Sequence, residues 1–222
     1  MGIFSFTAHG PGKGVRKDER KLKRPLLLFY YLFYYFTSFI KASMLFTLFC
    51  IPVITIGPSI CGLTFLMQSI SEDKHIFLLS DFWEHFRKNF LKGMLSFIIT
   101  LIPLFSLYTI FINMAKVPHF TNLIAPLIIV ISIMFMMSFY IYPLMVFYDL
   151  PLWAIFKNAF IFTMIKLPFN LFITIILLCI IFAAFYFYPV IGYIITPLFL
   201  AAFINYFTVF SVWPTIKKHM EE

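Results

Sequence analysis

The stretch PLLLFYYLFYYFTSFIKAS, residues 25–43, carries two tyrosine doublets and then a lysine inside a run otherwise apolar enough for a membrane span. Its reading decides how often the chain crosses a bilayer. On a helical wheel Tyr34, Ser38 and Lys41 all fall within about 80° of Tyr30, while Phe29, Leu32, Phe33, Phe36, Phe39 and Ile40 occupy the opposite arc. That two-sided pattern predicts a helix over 25–41 lying in the interface, phenols at headgroup level and Phe and Leu in the acyl chains. Lys41 then marks the hinge where the chain turns into the membrane. The competing reading keeps 26–51 as one tilted span, with Lys41 snorkelling to the far surface or facing a cavity.

Composition places the rest of the chain. Of 222 residues 62% are hydrophobic, 32 are Phe and only 12% are charged; the mean hydropathy is +0.97. Soluble domains do not reach such values. Nearly charge-free runs cover 42–56, 58–71, 93–115, 121–148, 167–188 and 190–213, which predicts an all-α, polytopic membrane bundle of about six segments. The first two measure only about 22 and 21 Å at 1.5 Å per residue, against a hydrocarbon layer of about 30 Å. Pro52, Gly57 and Pro58 break the helix between them and predict a tight hairpin. Either both arms extend into flanking residues, or the tip stops inside the outer leaflet with Thr55 and Ser59 serving its freed backbone groups.

Charge gives the expected orientation. With six spans, fifteen of the seventeen basic residues and all nine acidic ones fall on one side; Lys116 lies opposite and Lys41 is undecided. The positive-inside rule then puts both termini in the cytoplasm. The net charge of +8 is therefore topological rather than a sign of nucleic-acid binding. Its densest part, the arm 1–24 with basic residues at 13–24, is expected to meet an anionic inner leaflet at about 1 kcal/mol per charge. No cleavable leader is expected, and HGPGKG (9–14) lacks the spacing and context of a P-loop.

The longest polar connection, SEDKHIFLLSDFWEHFRKNFLKG (71–93), carries Asp81 and Glu84 at capping-box spacing, predicting an amphipathic helix over 81–92 with Asp81 as N-cap. Phe82, Phe86 and Phe90 line one face, and Glu84 and Lys88 form an i,i+4 pair. Within the spans, Gln68, Thr100, Asn113, Asn170, Thr174, Asn205 and Thr208 are the main polar groups, suited to bridging helices. No Asp or Glu lies in a span, which weighs against a proton- or cation-coupled transporter. The cysteines 50, 61 and 179 and the five histidines show no ligand spacing, so no metal or cofactor is expected, nor a catalytic constellation. Residues 214–222 read as a short cytoplasmic tail.

PVITIGPSICGLTF (52–65), SDFWEHFRKNFLKG (80–93) and IFKNAFIFTMIKLP (155–168) together resemble the YesL-like family of bacterial integral membrane proteins. The resemblance runs from about residue 41 to the C-terminus. Carried over by position, the family's characteristic residues are Thr55, Gly57, Pro58, Gly62, Asp81, Phe82, Phe86, Asn89 and Asn158. The family has no established activity, and its genes often stand beside carbohydrate ABC-transporter genes. The absence of catalytic or ion-coupling groups, together with two cytoplasmic amphipathic segments, points to a non-enzymatic accessory or regulatory partner of a membrane system, and the resemblance implies the bacterial plasma membrane with carbohydrate transport as its setting. The alternative is a transporter or permease component whose path is lined by Tyr, Asn and Thr. Ile165, Leu167 and Pro168 match the end of a sugar-permease coupling loop, but the acidic-Ala-Ala element before it is absent.

Overall fold

The computed structural model describes residues 24–113, 121–186, 193 and 195–220. Nine α-helices account for most of them, and no strand occurs among the described residues. They are α1 (Arg24–Tyr34), α2 (Phe36–Phe49), α3 (Ile56–Ser71), α4 (Leu78–Lys88), α5 (Phe90–Asn113), α6 (Thr121–Phe147), α7 (Leu152–Ile165), α8 (Leu167–Tyr186) and α9 (Ala201–Met220). A π-helical turn, Thr196–Leu200, leads into α9. Five helices are long and apolar enough to cross a membrane, six if α1 and α2 are one bent span. The all-α membrane bundle is therefore what the chain forms.

Contacts fix how far each helix reaches. Lys88 pairs with Asp149 at 3.6 Å and Lys92 Nζ donates to the Leu150 carbonyl at 3.0 Å, so the start of α5 and the end of α6 share one level. Phe147 meets Trp213 at 4.8 Å between ring centroids, and the Trp213 indole N–H donates to Glu72 Oε1 at 2.8 Å. The ends of α3, α6 and α9 thus gather at one charged end of the bundle.

From that end α3 runs inward beside α6, with Phe65 stacked on Phe147 at 5.7 Å and Cys61 Sγ 3.6 Å from Met145 Sδ. Its first turn meets α5 at Gly93 and Phe97. There α3 stops. Beyond it, 98–113 of α5 and 121–135 of α6 continue for about 22 to 24 Å each at 1.5 Å per residue. Burial changes at the same level: within 136–146 all but Ser138 are buried, whereas 122–135 are exposed or half-buried. On α8 the buried residues Asn170, Ile173, Thr174 and Leu177 all precede 178. α3, buried over most of its length, is the central post of a packed half; among the described helices α5, α6 and α8 continue into a sparse far half.

The element boundaries differ from the sequence reading in four places, each for a local reason. The chain bends by 77° between α1 and α2 at Tyr35, not at Lys41, and α2 runs unbroken through Lys41. No proline or glycine stands at the bend; the Tyr35 hydroxyl donates to Asp73 Oδ1 at 2.7 Å and ties the corner to the end of α3. The hairpin opens at 50–52, followed by a 3₁₀ turn at Val53–Thr55, so Gly57 and Pro58 sit in the first turn of α3, where a missing N–H is tolerated. α4 spans 78–88 rather than 81–92, with Phe77 at its N-cap. Asp81 lies inside the first turn and accepts the Phe77 N–H at 2.8 Å. Finally α9 continues to Met220, taking up most of the expected tail.

Candidate functional site

Eight of the nine motif residues assemble into a single packed unit around α3. Gly57 and Gly93 let α3 and α5 touch through backbone, since a Cβ on Gly57 would lie 2.1 Å from the Gly93 carbonyl oxygen. Small residues at a membrane crossing serve this kind of close approach. Gly62 makes room for Phe82, whose ring and carbonyl would both lie 2.8 Å from an added Cβ. Phe82 is completely buried there, and Phe86 nearly so; Phe49 at the end of α2 meets both rings at 5.4 and 5.2 Å. Thr55 closes the hairpin, its hydroxyl within 2.5 Å of Phe49 O and 2.6 Å of Pro52 O. Asn89, buried between α4 and α5, donates from Nδ2 to the His85 carbonyl at 3.1 Å. Pro58 and Asp81 complete the unit. Asn158 stands apart on α7, half-buried.

The charged end has a hub that motif reasoning passed over. α3 finishes in a Schellman arrangement, Lys74 N–H bonding Ser69 O at 2.9 Å and Asp73 N–H bonding Ile70 O at 3.1 Å. This puts Asp73 in the left-handed region, φ 55°, a position usually held by glycine. The Tyr35 bond holds it in place. One residue earlier, Glu72 accepts from Trp213 and pairs with Lys74 at 2.6 Å and Lys217 at 3.7 Å. Burial alone would raise its carboxyl pKa, but the bonds from Lys74 and Trp213 outweigh it and bring the value down to about 2. On α4, His85 stacks on Phe65 at 3.7 Å. Burial pushes its imidazole below the usual value, with Lys88 helping and Glu84 and Asp81 opposing. Lys88 pairs with Asp149 rather than with Glu84.

Tyr30, Tyr34, Ser38 and Lys41 do not form one continuous face, because the bend at Tyr35 divides them. Tyr30 and Tyr34 stack at 5.8 Å on exposed α1. Ser38 is half-buried and Lys41 exposed on α2. α1 rests against α9, where the Tyr206 hydroxyl donates to Leu28 O at 3.3 Å. The basic arm expected to meet anionic lipid, and Lys116, lie outside the described residues.

Several polar groups inside the bundle bond to one another, whereas the Gln68 amide, Ser96 Oγ and Asn205 Oδ1 are buried without a partner among the described residues. The Tyr140 hydroxyl donates to Asn170 Oδ1 at 2.8 Å, Asn170 Nδ2 to Thr163 O at 3.2 Å, and Asn205 Nδ2 to Thr64 Oγ1 at 3.1 Å. These link α6 to α8, α8 to α7 and α9 to α3. Where α3 stops, a cavity of about 400 Å³ opens between α5, α6 and α8, lined mainly by apolar side chains. Among the described residues no group of three His, Cys, Asp or Glu is placed to hold a metal ion.

No curated protein and no solved structure matches the chain. A family model does match residues 31–113, which run from α1 to the end of α5 and contain the whole motif unit except Asn158. Over that stretch the chain is similar to a family described as "Protein of unknown function, DUF624".

Proposed function

We propose that the chain is a multi-pass protein of the bacterial plasma membrane, with both termini cytoplasmic, that works as a non-enzymatic accessory or regulatory partner of a membrane system. Carbohydrate uptake is the first setting to test. The observation that carries this reading is the use made of the polar side chains. Tyr140, Asn170, Asn205 and Thr64 are spent on joining helices, as structural polar groups in bilayers commonly are, rather than left along a passage. Lys41 lies apart within α2; at the charged end Glu72 and Asp149 pair with Lys74, Lys88 and Lys217, and Arg87, Lys88, Lys157 and Lys218 are exposed. That surface is suited to a polar partner, and the basic arm 13–24 would hold it against anionic headgroups.

Purification of the tagged full-length protein in mild detergent, combined with lysine-directed crosslinking, tests the proposal. The expected result is a membrane complex recovered in constant proportion, with crosslinks at Lys88, Lys157 or Lys218. Recovery of the protein alone, under conditions that keep known membrane complexes intact, contradicts it. Solute uptake by proteoliposomes that rises when the purified protein alone is added would instead establish a transporter.

A further inference from the structure

The cavity beyond the first turn of α3 has the character of a ligand site, and we propose that it holds the hydrocarbon part of a fatty-acyl chain of a membrane lipid. Ile60 forms its floor, and Phe97, Leu104, Phe135 and Leu178 form apolar walls from α5, α6 and α8. The space exists because the central helix ends while its neighbours continue. Its volume of about 400 Å³ falls within the usual range for small-ligand sites, about 300–1,000 Å³.

The wall chemistry excludes polar guests. Five hydroxyls line it, and four of them donate to a carbonyl of their own helix: Thr100 to Phe97 O at 2.8 Å, Ser132 to Ile128 O at 2.8 Å, Ser138 to Phe135 O at 2.6 Å and Thr174 to Asn170 O at 2.8 Å. No charged residue lines it. A sugar, an ion or a nucleotide would lose its hydration here with little in return. Tyr142, 7% exposed, completes the wall.

Shape points to a chain. At Leu104 the cavity meets a groove of Leu107, Phe111, Ile124 and Ile128 that follows α5 and α6 toward their far ends. Most exposed side chains there are apolar, among them Phe105, Phe111 and Ile129, and Tyr108 adds a phenol to the groove. An elongated hydrocarbon can therefore slide in sideways from the bilayer without leaving an apolar medium. This inference is independent of any protein partner.

The test uses the full-length protein in detergent micelles, a phosphatidylglycerol with a diazirine in one acyl chain, photolysis and peptide mapping. The expected result is adducts concentrated on 97–104 and 131–142. Filling the space with Ser132→Phe, or with Leu101→Phe if the first variant does not fold, should cut those adducts at least about tenfold. Labelling of the outer helix faces should persist. Adducts spread evenly over all exposed apolar faces and unchanged in both filling variants would overturn the site.

Discussion

The two halves of this molecule both rest on apolar helices but are held together differently, and the more apolar of the two is the less packed. Around α3, glycines bring backbones into contact, aromatic rings interlock and the helix ends are tied by Glu72 and Asp73. In the far half α5, α6 and α8 lack a central helix, and hydroxyls such as Ser106, Thr109 and Ser132 bond only to their own helix carbonyls. Hydrophobicity therefore says nothing about which half is specified. Lipid tails are as apolar as leucine, so packing and polar bonds between helices do the specifying.

The largest expected effect that separates the halves is steric. Gly57→Ala places a methyl group 2.1 Å from Gly93 O, and neither backbone has a flexible end to move aside. Unfolding in detergent should show a loss of about 3 kcal/mol. Ile129→Ala, on the exposed far half of α6, should stay within about 0.5 kcal/mol. Equal effects at the two sites would erase the contrast.

A second test acts on the hub by pH. Glu72 has a depressed carboxyl pKa, so its contribution is complete above the ordinary carboxylate value and is lost as pH falls from about 4.5 toward about 2. His85 is held below its ordinary imidazole value, so stability begins to fall earlier, as pH drops through about 6.5. Glu72→Gln should flatten the lower step and leave the upper one; His85→Phe should do the reverse. Glu72→Gln should also lower stability at neutral pH by about 1.5–3 kcal/mol, the range for bonds to a charged acceptor.

Smaller still is the corner at Tyr35. Tyr35→Phe should lower stability by about 1 kcal/mol. Asp73→Gly relieves the left-handed backbone at a gain of up to about 1 kcal/mol but discards the same bond, so alone it should come out near zero. Made in the Tyr35→Phe background it should stabilise, and a double-mutant cycle reads the difference.

What was legible in the sequence follows the same division of causes. Long charge-free runs announced the helices α5, α6 and α8 because burying a backbone in lipid leaves little alternative to helix. The motif unit was visible as residues, since glycines and regularly spaced phenylalanines carry their packing role locally. The bend at Tyr35 was not, because it depends on a tyrosine reaching Asp73 across 38 residues and no breaker marks the spot. Asp81 looked like an N-cap, yet it reaches back from inside the first turn to accept the N–H of Phe77, the actual N-cap. The hub at Glu72 was hidden for a similar reason: Trp213 lies 141 residues away. Nor could spacing disclose the cavity, which reflects where α3 ends relative to helices it does not adjoin in sequence.

The central claim is that α3 and its hairpin reach only part of the way along the bundle, so that the tip at 51–55 lies within the hydrocarbon. Single cysteines at Ile54 and at Asn122, in a chain with Cys50, Cys61 and Cys179 replaced by alanine, measure this with a membrane-impermeant maleimide applied to intact cells and to inside-out vesicles. Position 122, at the start of α6, should label from one side, while position 54 should stay unlabelled from either. Labelling of position 54 from the same side and at the same rate as position 122 would mean that the hairpin crosses completely, and would contradict the account.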